Sequence, residues 1–137
     1  MKKNEFFKKV RKEQDFYALD KSPYAKPTGT LDTGSYAINR VMTGDIHKGL
    51  PMGRITQLVG ASQSGKSLLA ARIIINAVNN GDVDKVYYYD SEGGSCVDMI
   101  RNGIKDWDDD DPPVETTFVK NVESFETKIT MLVEQME

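Results

Sequence analysis

The sequence predicts an α/β fold: a parallel sheet with flanking helices. Two short apolar runs, residues 54–59 and Val86-Tyr87-Tyr88-Tyr89, bracket a helical pattern within about 35 residues. A glycine- and serine-rich loop joins the first run directly to that helix. A third strand pattern, residues 116–119, follows a second short helix. Strands separated by a helix are joined by a crossover, and crossover strands lie parallel.

Composition narrows the class. A chain of 137 residues is one domain by length. Hydrophobic residues at 39% and charged residues at 28%, with 11 Gly and 5 Pro, exclude a collagen-like or wholly disordered chain. No apolar run nears the roughly 18 residues of a membrane helix, since Ile73-Ile74-Ile75 stops at Asn76. The N-terminus is basic without an apolar core segment, so no export is expected. Cys96 is the single cysteine and allows neither an internal disulfide nor a zinc cluster. The expectation is a soluble cytoplasmic chain with no membrane partner. The net charge of −3 is uneven: +4 over residues 1–26, +3 over 27–81 and −10 over 82–137. A basic start suits an electrostatic partner, and ordinary solvated surface explains the same pattern.

Residues 2–19 read as a weakly amphipathic helix, with Phe6, Phe7, Val10, Phe16 and Tyr17 among lysines. Adjacent phenylalanines on so polar a segment need an apolar surface to bury against. Ser22-Pro23, Lys26-Pro27 and Thr28-Gly29 mark a linker, so residues 1–30 form an N-terminal extension and 31–137 the core. Thr33 suits an N-cap for a helix carrying Ala37, Ile38, Val41 and Met42, which Gly44 ends. Turns at residues 48–53 lead into the strand at 54–59. The helix of residues 65–80 presents Leu68, Leu69, Ile73, Ile75 and Ala77, and a strand at 85–89 follows. A helix over 95–102 stops at Gly103. Residues 106–113 are a loop, because five aspartates repel one another and Pro112-Pro113 forbid a helix. The last helix begins near Asn121, with Val122, Phe125, Ile129, Leu132 and Met136 on one face.

The chemistry concentrates in Gly60-Ala61-Ser62-Gln63-Ser64-Gly65-Lys66-Ser67, a complete G-x-x-x-x-G-K-S phosphate-loop pattern between a strand and a helix. Glycines allow backbone geometry that a Cβ blocks, and successive N–H groups at a helix start hold phosphate oxygens. In such a loop Lys66 reaches the β- and γ-phosphates of ATP and the Ser67 hydroxyl binds Mg²⁺. A bare helix-capping turn is the plain alternative. Glu92 lies just past the second strand, at the strand end where open α/β sheets bind ligands. A carboxylate there can orient and deprotonate the water that attacks the γ-phosphate. Asp90 is its rival for that role or a tie for the loop.

Several segments together resemble the RecA recombinase core. They are Asp32-Thr33-Gly34-Ser35 before a helix, Gly49-Leu50-Pro51-Met52-Gly53-Arg54-Ile55, the phosphate loop, and Tyr88-Tyr89-Asp90-Ser91-Glu92. The run Tyr-Asp-Ser-Glu-Gly and the basic extension are most similar to phage UvsX-type recombinases. The resemblance covers about residues 30–137. It implies a P-loop NTPase with a RecA-like parallel sheet, in which ATP binds between protomers of a homo-oligomeric filament on single-stranded DNA. It implies a DNA-dependent ATPase that promotes strand exchange, with Lys66 and Glu92 catalytic. The N-terminal helix would then pack on a neighbouring protomer.

The resemblance also implies that the Walker B strand and the DNA-binding loops follow Glu137. The chain would then be truncated before Walker B, with a gap in its sheet and little ATP turnover or strand exchange alone. The family stacks an aromatic ring on adenine from the next helix, where Val97-Asp98-Met99-Ile100 offers none. Two other readings share the loop: a RecA-like helicase or repair ATPase, and a non-catalytic fragment that binds nucleotide and caps a filament. His47 has no second ligand nearby in sequence, and Cys96 reads as a packing residue. Trp107 reads as a pin for the acidic loop, and Tyr87-Tyr88-Tyr89 as strand packing.

Overall fold

The apolar stripe of the central helix organises the chain, because its small and branched side chains let neighbouring elements pack closely. The computed structural model describes residues 3–13, 17, 21–22, 25–93 and 96–136. Along the chain lie α1 (Lys3–Glu13), β1 (Thr30–Leu31), α2 (Tyr36–Thr43), β2 (Leu50–Pro51), α3 (Lys66–Asn79), β3 (Val86–Asp90), α4 (Val97–Gly103), β4 (Val114–Phe118) and α5 (Val122–Met136). The architecture is mixed α/β with two small sheets. None of the helices among the described residues is long and apolar enough to cross a membrane.

β3 and β4 pair in parallel, with Val86 opposite Val114 and Asp90 opposite Phe118, and α4 lies in the crossover. Val86 N–H donates to Pro113 and Val119 N–H to Asp90, which extends the ladder at both ends. The core joins Ala71 of α3, Cys96, Ile100 and Ile104 on and beside α4, and Val114 of β4. Ile74, Ile75, Val78, Val86, Tyr88 and Trp107 pack around it. Asn79 fastens the far end of α3, donating to Gly103 O at 2.9 Å and accepting from Lys105 N at 3.0 Å.

The acidic loop is held at several points. The Trp107 indole donates to Asp109 Oδ1 at 3.0 Å while its ring packs on the core. Arg101 lies 5.3 Å from the ring centroid and pairs with Asp109 at 2.8 Å. Lys85 meets Asp111 at 2.8 Å and Glu115 at 2.9 Å. Trp107 therefore pins the loop, as its sequence context predicts.

A second unit is built on a buried amide. Asn39 and Thr33 are fully buried. Asn39 Oδ1 accepts from Thr33 N at 3.1 Å and from Thr33 Oγ1 at 2.7 Å, and its Nδ2 donates to Asp32 Oδ1 and Ile46 O, each at 2.7 Å. β1 and β2 then pair antiparallel, Thr30 with Pro51 and Leu31 with Leu50. These two-residue strands fall in segments whose turn residues hide them from sequence reasoning.

The structure corrects three expectations. Residues 54–59 form no strand. A strand is held by ladder bonds and buried side chains, and no described strand pairs with this segment, where Ile55 is 102% and Val59 83% exposed. The parallel pairing comes one unit later, between β3 and β4. Ser35, not Thr33, caps α2, accepting from Ile38 N, because Thr33 is turned inward onto Asn39. Leu68 is exposed, whereas Ala71, Ile73 and Ala77 carry the buried face of α3. On α5, Val122 and Phe125 of the predicted face are exposed, Phe125 meeting Tyr89 edge-on at 5.3 Å, while Ile129 and Leu132 are half-buried. Of the predicted first helix, Lys3–Glu13 is helical, and Phe16 lies outside the described residues.

Removing the Asn39 carboxamide orphans several buried groups at once, so Asn39→Ala should cost about 2–4 kcal/mol in urea unfolding. The bonds from Asn39 and from Gly34 N–H hold the Asp32 carboxyl below its ordinary value of 3.8. A depressed carboxyl stabilises the fold above its unfolded pKa and loses that contribution as pH falls through its folded pKa. An NMR titration should find Asp32 below 3.8 in the native chain and shifted back towards 3.8 in Asn39→Ala.

Candidate functional site

The loop at residues 60–67 keeps the bend its glycines allow. Gly65 has φ +87°, a left-handed conformation open to glycine and strained for L side chains, and α3 begins at the next residue. Gln63 also has positive φ, at +61°. Gly60 is needed for space: a Cβ there would sit 2.7 Å from Ser64 Oγ. Within the bend, Ser64 N–H donates to Ala61 O at 3.3 Å.

Because Gly65 lacks a side chain, α3 has no side-chain cap. The first amides of an α-helix have no acceptor within the helix, and they carry the positive end of its dipole. The amides of Lys66, Ser67 and Leu68 hold those positions. The Lys66 ammonium donates to Gly60 O at 3.0 Å and Ala61 O at 2.8 Å, tying the start of the loop to the start of the helix.

Residues 62–68 share one cleft of about 380 Å³ with Glu92 and Cys96. The structure thus brings Ser62, Gln63, Ser64, Gly65, Lys66 and Ser67 together with Glu92. Gly60 and Ala61 contribute carbonyls behind Lys66 rather than cleft wall. Glu92 reaches the cleft because β3 ends at Asp90 and the chain turns at once: Asp90 Oδ1 accepts from Glu92 N at 2.8 Å and Gly93 N at 3.1 Å. Of the two roles weighed for Asp90, the loop tie is the one these bonds make.

Cys96 both packs in the core and lines the cleft, and the second role is absent from its sequence reading. Its position just beyond the carboxyl end of β3, where α4 starts, was the available signal. Tyr88 packs on the core and Tyr89 on Phe125, in keeping with strand packing. The His47 ring lies edge-on to Tyr36 at 5.7 Å. Among the described residues no cluster of three or more His, Cys, Asp or Glu is arranged to hold a metal ion, so a cation here would depend on the Ser67 hydroxyl and on phosphate oxygens.

No protein-family model matches the chain, and a search of curated proteins returns no significant similarity.

Proposed function

We propose that the cleft between residues 62–68 and Glu92 binds the triphosphate of ATP with Mg²⁺, and that the chain belongs to a DNA-dependent ATPase of homologous recombination. The observation carrying this reading is the meeting, in one cleft, of an uncapped helix N-terminus, a lysine, a hydroxyl and a carboxylate. Phosphate oxygens would take the amides of the loop and helix start, and Lys66 would turn from the loop carbonyls to the terminal phosphates. Ser67 would complete the coordination of Mg²⁺. When bound, ATP supplies the phosphoryl group, and Glu92 stands where a carboxylate can orient water.

The recombinase class rests on the ordered set of motifs resembling the RecA core. In that reading single-stranded DNA and further copies of the chain are the partners, and α1 packs on the next protomer. Phe6 and Phe7, each half exposed and stacked edge-on at 5.5 Å, would gain the apolar surface they lack.

A fluorescent ATP analogue titrated with Mg²⁺ tests the site. Lys66→Ala removes a charge-assisted contact and should weaken binding about 10- to 100-fold. Equal affinity of the variant and the native chain would overturn the phosphate assignment.

A further inference from the structure

We infer that Asp90 is a positioning residue that aims Glu92 at the cleft; this rests on the nucleotide reading above and deepens it. The backbone of Asp90 is fixed in the sheet, opposite Phe118, with its carbonyl accepting from Val119 N at 2.8 Å. Its side chain then reaches forward over the turn. Asp90 Oδ1 accepts from both Glu92 N at 2.8 Å and Gly93 N at 3.1 Å. Gly93 completes the turn at φ +96°, a conformation that L side chains rarely adopt.

Glu92 is itself exposed, so packing does little to hold it. A carboxylate accepting two backbone N–H groups is a charge-assisted anchor and stronger than neutral turn bonds. Through it, the rigid edge of β3 sets the direction from which Glu92 enters the cleft shared with Lys66 and Ser67. Asp90 acts on the cleft through the backbone of Glu92, so its effect must vanish when Glu92 has no charge to place.

That dependence gives the test. A carboxylate held beside the γ-phosphate repels it, so releasing Glu92 should tighten triphosphate binding about threefold at physiological salt. Asp90→Ala removes the acceptor, whereas Asp90→Asn keeps an Oδ1 for the two amides and removes only the charge. With the fluorescent ATP analogue, D90A should bind about threefold more tightly than D90N. In an E92Q background that ratio should fall to one. A ratio of one in both backgrounds, or the same ratio in both, would overturn the inference.

Hydrogen exchange of the Glu92 and Gly93 amides supplies a readout without nucleotide. Exchange should quicken severalfold in D90A and less in D90N, which keeps a neutral acceptor, and unchanged exchange in D90A would also overturn the tie. If that tie is present but the native chain does not bind the analogue, the nucleotide reading is what fails, and the positioning role falls with it.

Discussion

The burial of α3 against α4 and the β3–β4 pair is the constraint on which the candidate site depends. A helix of 14 residues is a stiff rod about 21 Å long, so fixing one face and one end fixes where the other end points. Ala71, joined in the core by Ile100 and Val114, fixes the face; Asn79, bonded to Gly103 and Lys105, fixes the end. β3 enters the same core through Val86 and Tyr88. The start of α3 and the carboxyl end of β3 therefore meet, and a cleft lined by residues from both follows from packing on the other side of the molecule. No direct contact between the loop and Glu92 is needed to explain their proximity.

The electrostatics divide along the same line. The C-terminal segment is strongly acidic, and among the described residues three of its carboxylates are matched locally by two cations. Asp109 is bound by Arg101 and by the Trp107 indole, and these bonds lower its carboxyl pKa from the ordinary value of 3.8. Asp111 and Glu115 share Lys85, whose ammonium they hold protonated well above the ordinary lysine range. Asp109 and Asp111 thus fasten the loop, while the segment as a whole keeps its acidic excess. At the cleft the pattern differs: Lys66 is bonded to neutral carbonyls, so its charge remains available to an anion. A phosphate can replace two carbonyl contacts with charge-assisted ones, an exchange in its favour.

What the sequence disclosed, and what it hid, follows from the range of the forces involved. α3, α4 and β3 were legible because periodicity and glycine stops are local signals. Gly60 and Gly65 were legible because their conformational demands are local too, though for different reasons: one needs space beside Ser64, the other a left-handed backbone. Asn39 was not legible. It is a polar residue outside the apolar pattern of its helix, Ala37, Ile38, Val41 and Met42, and only the approach of residues 32, 33 and 46 makes it a hub. The inward turn of Thr33 follows from the same contact, which is why the cap fell to Ser35. Residues 54–59 failed in the opposite sense: they carry a local strand pattern, but a strand also needs a neighbour.

That failure bears on the site itself, because its two walls are supported unequally. The wall made by Glu92 and Cys96 stands on the core and on the β3–β4 ladder. The chain entering the loop, with Ile55 and Val59 exposed, stands on neither. A further cavity of about 360 Å³ runs between Gln57, Leu58, Val59 and the start of α3. The loop therefore takes its geometry from the helix side: from the left-handed Gly65 and from Lys66 reaching back to Gly60 and Ala61. Those lysine bonds are the chief link, among the described residues, between the two ends of the loop. Any anion that draws Lys66 away must take over that link through its own contacts with the loop amides. Binding the anion and ordering the loop are in this sense one process, and part of the gross contact energy is spent on the ordering.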